Sequence, residues 1–113
     1  MLNDEELLRY SRQILMPRFD IAGQAKLKSA RVLVVGAGGL GCPVALYLGA
    51  AGIGHLTLVD DDSVEVANLQ RQIAFEQSDL GESKAGQLAD RVRRINPEVS
   101  VTALTERLEG DEL

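Results

Sequence analysis

Residues 32–41 read VLVVGAGGLG, and this stretch decides the fold of the chain. An apolar run typical of a buried strand leads directly into three glycines spaced GxGxxG. Gly36 permits a sharp turn off the strand, Gly38 lets bare backbone approach a ligand, and Gly41 lets the next helix pack against the sheet. The free N–H groups in the first turn of that helix favour an anion. The stretch therefore predicts a phosphate cradle at the end of a parallel strand.

A second apolar strand is predicted at 55–59, and it ends in Asp60. This acid follows Gly41 by about twenty residues, the distance at which a nucleotide-binding βαβ unit places the acid that binds a ribose hydroxyl. GxGxxG alone is a weak signal, but strand, glycines, helix, strand and acid in this order indicate a nucleotide site. The alternative is an acidic turn that only ends the strand. The position of Asp60 relative to the glycines favours ribose binding.

Composition limits the size and class of the protein. The chain has 113 residues, of which 45% are hydrophobic and 26% charged, and its net charge is −5. It is long enough for one core, but short for a complete doubly wound nucleotide fold. This composition is that of a globular chain rather than a disordered or membrane-spanning one, and the negative charge argues against a general nucleic-acid surface. We therefore expect no membrane partner and no nucleic-acid partner.

The only cysteine and the N-terminal residues indicate the compartment. Cys42 excludes an internal disulfide and a cysteine-rich zinc site within these residues, and we interpret it as a small packing residue. Residues 1–15 are interrupted by charges and do not suit a signal peptide. We therefore predict a cytoplasmic protein.

Hydrophobic periodicity predicts the order of helices and strands. A first helix is predicted over 4–15, with Leu7, Leu8, Ile14 and Leu15 on its packing face, and a short second helix over 22–29. Strands at 31–35, at 55–59 and around Val99, Val101 and Ala103 then alternate with helices at about 40–51 and 83–95. The fold class is thus α/β, with N-terminal helices followed by the first βαβαβ half of a Rossmann-like doubly wound parallel sheet.

Domain organisation follows from this order. A helical lead-in at 1–30 and the βαβαβ unit at 31–105 are expected to form the N-terminal part of one nucleotide-binding domain, whose remainder is absent. In the usual strand order of such sheets, the following strand pairs with the strand at 31–35, whose edge would therefore stay open. On the second crossover helix, one face is expected to hold Ala85, Leu88, Ala89, Val92 and Ile95.

Two cationic side chains, Arg71 and Lys84, are candidates for binding phosphate. Arg71 follows Asn68 by three residues, so the two would share a face of a helical turn, and a guanidinium suits phosphate oxygens. A surface arginine explains Arg71 equally well. Lys84 stands at the start of its helix, where the dipole disfavours a cation, so either an anion holds it or it is simply solvated. Arg12, judged from the residues alone, is a solvated side chain.

Six segments together resemble the MoeB/ThiF/HesA group, which is related to ubiquitin-activating enzymes. The segments are RYSRQI at 9–14, GAGGLG at 36–41, DDD at 60–62, NLQRQ at 68–72, Gly81 with Lys84, and RINP at 94–97. Members of the group use ATP to adenylate the C-terminal glycine of a small ubiquitin-fold protein, usually a sulfur carrier in molybdopterin or thiamine synthesis. The resemblance thus implies an ATP-dependent adenylyltransferase, a carrier ending in Gly-Gly as partner, and a homodimer.

The resemblance also implies roles for individual residues. The nucleotide would be bound by Gly36, Gly38, Gly39, Gly41, Asp60, Asp62, Asn68, Leu69, Gln70, Arg71 and Lys84. Arg71 and Lys84 would act in catalysis on the phosphates. Arg12 would join them in trans, because the matching arginine of the group reaches across a two-fold dimer to the partner subunit's ATP.

The chain departs from the group mainly by stopping early. The aspartate that binds magnesium and the CxxC pairs that bind zinc are expected after residue 113, so we predict no metal ligand here and no activity of these residues alone. Two alternatives remain. An NAD-binding oxidoreductase domain explains the glycines and Asp60, but gives no reason for Arg71 and Lys84. The other alternative is a non-catalytic dimerisation fragment.

Overall fold

The computed structural model describes residues 2–38, 41–65 and 75–105. Its elements, in chain order, are α1 (Asp4–Arg9), α2 (Ser11–Ile14), α3 (Asp20–Ser29), β1 (Arg31–Val35), α4 (Gly41–Ala51), β2 (His55–Val59), a 3₁₀ turn (Gln77–Asp79), α5 (Lys84–Ile95) and β3 (Ser100–Leu104). From β1 onwards this is the predicted βαβαβ order.

The three strands form one parallel sheet in the order β1-β2-β3. Val35 pairs with Val59, and Val59 pairs with Leu104, so the carboxyl ends of the strands are in register. The predicted α/β class is confirmed, and β1 lies at an edge of the described sheet. The segments that leave the ends of the strands therefore start from the same edge of the sheet.

The core lies between the sheet and the two crossover helices. Its fully buried side chains include Ala45, Leu56, Leu58, Leu88, Ala89 and Val92. The predicted buried face of α5 is confirmed except at Ile95, which is 40% exposed because it is the last residue of the helix. On the opposite face of β1, Leu33 and Val35 are about half exposed, and a shallow depression lies beside Leu33, His55 and Thr57.

The N-terminal helix differs from its prediction. It breaks at Tyr10, whose backbone (φ −101°, ψ 16°) ends α1 and begins α2. The predicted packing face is wrong, since Leu8 is 73% and Leu15 80% exposed. The buried residues of this segment are instead Leu2, Glu6 and Tyr10, which also follow helical spacing. The groups that bind Glu6 and Tyr10 come from distant parts of the chain, so the local hydrophobic pattern does not predict this burial.

The following helix also begins earlier than predicted. α3 starts at Asp20 rather than at residue 22. Asp20 has a positive φ of 48°, and its carboxylate accepts a hydrogen bond from the N–H of Ala22 at 2.9 Å. This local bond supports a helix start in a backbone conformation that few residues other than glycine adopt.

Glu6 ties α1 to α3. Its carboxylate accepts hydrogen bonds from Lys28 Nζ at 2.8 Å and from the N–H of Asn3 at 3.0 Å, and Asn3 caps the N–H of Glu6 in return. Burial raises the pKa of the Glu6 carboxyl, but the bonds from Lys28 and Asn3 and the charge of Lys28 outweigh it. The pKa of Glu6 therefore lies below its ordinary value.

This lowered pKa predicts a pH-dependent loss of stability. The ionised carboxylate stabilises the fold above the unfolded-state pKa, and its contribution disappears as pH falls through the folded-state value. We expect Glu6→Gln to have a lower free energy of unfolding than the wild type near pH 6. This difference should shrink towards about pH 3. Urea unfolding at a series of pH values measures it.

Glu5→Gln is the matched control, because the side chain of Glu5 is 63% exposed and, among the described residues, is paired only with Arg9 at the surface. Its difference from the wild type should stay small at every pH. A difference for Glu6→Gln that does not change with pH would show that the buried carboxylate is not the titrating group.

Candidate functional site

Three segments meet at the carboxyl edge of the sheet. The N–H of Gly36, just after β1, donates to the carbonyl of Val59 at 2.7 Å, and the N–H of Lys84, at the start of α5, donates to the carbonyl of Asp62 at 3.0 Å. Ser63 and Ser83 form a further bridge between the last two segments. The structure thus brings together the glycine turn, the acidic run after β2 and Lys84.

The glycine turn requires glycine at two described positions. Gly36 has a φ of 96°, in the left-handed region. A Cβ atom at Gly41 would lie 1.9 Å from the carbonyl oxygen of Gly36, so the helix start approaches the strand end more closely than any side chain permits. The N–H of Cys42 donates to the carbonyl of Gly38 at 3.0 Å. Gly39 lies outside the described residues.

Asp60 holds the glycine turn against the end of β2. Its Oδ2 accepts a hydrogen bond from the N–H of Ala37 at 2.6 Å, and its Oδ1 accepts one from the N–H of Asp62 at 2.7 Å. The side chain therefore does more than end the strand. Each carboxylate oxygen has a second lone pair, so these two bonds leave room for further donors such as ribose hydroxyls.

Lys84 is buried without a partner among the described residues. It is 7% exposed, and its ammonium group forms no hydrogen bond or ion pair with residues 2–38, 41–65 or 75–105. Ser83 caps the helix by accepting from the N–H of Gly86 at 3.1 Å, which fixes the start of α5. Burying a cation is costly unless an anion compensates it. The alternative of a solvated surface lysine is wrong, and an anionic ligand fits this position.

The acidic run also offers cation ligands. One carboxylate oxygen from each of Asp60, Asp61 and Asp62 lies within 4.8 Å of the others. Oxygen ligands of this kind suit Mg²⁺, but Asp61 and Asp62 are exposed, and such acidic turns commonly hold no ion. We assign no metal to them.

The remaining predicted residues fall into two groups. Asn68, Leu69, Gln70 and Arg71 lie outside the described residues, and their roles stay predictions. Arg12 is exposed on α2, next to Gln13, whose Nε2 donates to the carbonyl of Ala51 at the end of α4 opposite the glycine turn.

One other sequence interpretation is confirmed. Cys42 is fully buried in the core, and its thiol donates to the carbonyl of Ala37 at 3.0 Å, so it is a packing residue. The arginines of α5 are partnered along its outer face, Arg91 by Glu76 and Arg94 by Asp90. Arg93 donates to the carbonyl of Val101.

Sequence reasoning missed a buried polar cluster at the end of α4 opposite Gly41. It consists of Tyr10, Gln13, Gln24 and Asn96, which we call the polar anchor. The only available signal was the Asn96-Pro97 pair after a helix, which indicates a helix end but not a buried contact.

In the described part of the chain, no helix has the length and apolar character needed to cross a bilayer.

Comparison with known proteins gives a consistent set of relatives. The chain is 50% identical over 110 residues to the molybdopterin-synthase adenylyltransferase of Salmonella typhimurium, covering 97% of this chain and 44% of that protein. It is 47% identical over 112 residues to the sulfur carrier protein ThiS adenylyltransferase of Escherichia coli, covering 99% and 45% respectively. The chain thus spans a little under half the length of these curated relatives.

A solved structure agrees in fold. The E. coli tRNA N6-threonylcarbamoyladenosine dehydratase TcdA, in complex with ATP, matches with a TM-score of 0.88 and 33% identity over 96% of this chain and 44% of that one. The model of the ThiF family matches residues 10–113. Most of the sequence, including the glycine turn, Asp60 and Lys84, is therefore covered by one family description, and the chain belongs to the ThiF family.

Proposed function

We propose that this chain supplies most of the ATP site of an adenylyltransferase acting on the C-terminal glycine of a ubiquitin-like sulfur carrier. The observation that carries the proposal is Lys84, whose N–H binds the carbonyl of Asp62 and whose buried side chain forms no hydrogen bond or ion pair in the described part of the chain. An adenylyltransferase needs a cation at this place, because negative charge on the phosphates must be compensated where water is excluded. The names of the molybdopterin and ThiS relatives support a sulfur carrier in molybdopterin or thiamine synthesis as the substrate.

The described residues fit ATP. The turn from Gly36 to Gly41 admits no Cβ at Gly41 and presents the start of α4, where backbone N–H groups favour phosphate. Asp60 would accept hydrogen bonds from the ribose, and Lys84 would contact phosphate oxygens. Arg71 would join Lys84, and magnesium ligands and any zinc site would come from sequence outside these residues.

Adenylation makes modest chemical demands. The carrier carboxylate attacks the α-phosphorus, the bond between that phosphorus and the bridging oxygen breaks, and pyrophosphate leaves with the electron pair. Lys84 would stabilise the charge that develops on the phosphoryl oxygens. No covalent nucleophile of the protein is required, which agrees with the packing role of Cys42.

Arg12 would serve the ATP site of a partner subunit. α4 has 11 residues and is therefore roughly 16 Å long. Gln13, the neighbour of Arg12, contacts the last residue of α4, whereas the glycine turn lies at its first. An arginine side chain does not span that distance. Exposed apolar residues near Arg12, among them Leu8, Leu15, Met16 and Ile21, support a homodimer interface on this side.

The proposal predicts a reaction that can be measured directly. The full-length protein should exchange labelled pyrophosphate into ATP only when a ubiquitin-fold carrier ending in Gly-Gly is present. A carrier lacking its last glycine is the control and should give no exchange. Hydride transfer to NAD, without pyrophosphate exchange for any such carrier, would favour the oxidoreductase alternative instead.

Replacing the buried cation should slow the reaction. Lys84→Met keeps most of the side-chain volume but removes the charge, and we expect a loss of about a hundredfold or more in exchange rate at saturating ATP, as for other preorganised charge-stabilising donors. Arg94→Met on the outer face of the same helix is the control and should leave the rate unchanged. A near wild-type rate for Lys84→Met would remove this residue from the phosphate site.

The position of Arg12 predicts complementation between subunits. A purified mixed dimer with Arg12→Ala in one subunit and Lys84→Met in the other would carry both lesions in one site if Arg12 acts across the interface. About half of the wild-type activity should then return, because the second site of a two-fold dimer is intact. If Arg12 acts within its own subunit, each site is damaged. Arginine fingers contribute roughly 10³ to 10⁵ in rate, so the outcomes differ clearly.

A further inference from the structure

Three of the four members of the polar anchor are almost completely buried, and Gln13 is partly buried. Asn96 is 1% exposed, Tyr10 3% and Gln24 not at all. Asn96 Nδ2 donates to the hydroxyl of Tyr10 at 2.7 Å and to the carbonyl of Gly49 at 2.8 Å. Burying polar groups is costly unless they are paired, and here the amide nitrogens of Asn96 and Gln13 each form two hydrogen bonds, to other members of the anchor and to the backbone.

The anchor acts on the last turn of α4. The final carbonyls of a helix lack partners within the helix. Gln13 Nε2 and Gln24 Nε2 both donate to the carbonyl of Ala51, at 3.0 and 2.9 Å, and Gln13 Nε2 also donates to Gln24 Oε1 at 2.6 Å. Asn96 Nδ2 donates to the carbonyl of Gly49 in the same turn, so side chains of the polar anchor bind two carbonyls of this turn.

Arg12 lies between two members of this cluster. Tyr10 precedes it by two residues and Gln13 follows it directly, and both side chains point inward to the anchor, while Arg12 is exposed. α2 has only four residues, which is too short to hold a fixed position by its own hydrogen bonds. Its placement must come from these tertiary contacts.

We propose that Tyr10, Gln13, Gln24 and Asn96 are positioning residues, which fix the short helix α2 so that Arg12 points outward towards the ATP site of a partner subunit. The proposal rests on the function proposed above for Arg12. α4 and α5 begin at the proposed ATP site of their own subunit and end at the polar anchor. The two helices thus connect that site to the region that positions Arg12, which acts on the ATP site of the partner subunit.

The kinetic test is a double-mutant cycle in the full-length dimer. Tyr10→Phe removes only the hydroxyl, and Asn96 still donates to Gly49. We expect the variant to lower kcat of carrier-dependent pyrophosphate exchange by about tenfold, with the dissociation constant of ATP unchanged, as for residues coupled through one network. In an Arg12→Ala background the same substitution should change kcat by less than about twofold. An equal loss in both backgrounds would overturn the proposal.

A second measurement does not depend on activity. The N–H groups of Ile14 and Leu15 donate to the carbonyls of Tyr10 and Ser11 at 3.0 and 3.1 Å, so their hydrogen–deuterium exchange reports the order of α2. In Tyr10→Phe and Asn96→Ala, deuterium uptake at these two amides should be about tenfold faster, because local opening limits it. Val101→Ala, a core truncation in β3, is the control and should leave their rates unchanged.

The two arms separate the possible failures. Unchanged deuterium uptake at Ile14 and Leu15 in both anchor variants, or equal acceleration by Val101→Ala, would overturn the positioning role. No carrier-dependent pyrophosphate exchange in the wild type would overturn the function proposed for the site, and the deuterium measurement would still decide whether the anchor fixes α2.

Discussion

The hydrogen bond from the N–H of Ala37 to the carboxylate of Asp60, 2.6 Å long, joins the two strand ends on which the site is built. The other oxygen of the Asp60 carboxylate accepts a hydrogen bond from the N–H of Asp62. The carbonyl of Asp62 accepts one from the N–H of Lys84. The glycine turn, the acidic run and the start of α5 are thus linked by successive hydrogen bonds. The parallel register of the sheet makes this possible, because it brings the ends of β1 and β2 to the same level.

Lys84 gives this arrangement its electrostatic character. The side chain of Lys84 is buried at the start of α5 and forms no ion pair with the described residues. Such a group raises the free energy of the empty protein and lowers that of a complex with an anion. The site is therefore prepared for a negatively charged ligand before one binds, and the stabilising charge is already in place.

Sequence was a good guide to the sheet and a poor guide to the N-terminal helices. β1, β2 and α5 followed from local periodicity, since each packs on the core through one apolar face. The site segments followed from the glycine spacing and the distance to Asp60. The helix predicted over 4–15 failed because Glu6 and Tyr10 are buried by Lys28 and Asn96, which no local pattern connects to them. For the same reason the polar anchor was not predicted.

The bond between Tyr10 and Asn96 also constrains the order of events during synthesis. The two residues are separated by 86 positions, so this contact cannot form until β1, α4, β2 and α5 have all been translated. At ordinary rates of translation, the interval between the two residues is on the order of ten seconds. The contact that holds Tyr10 in the polar anchor is thus one of the late ones to form, after most of the sheet has been synthesised.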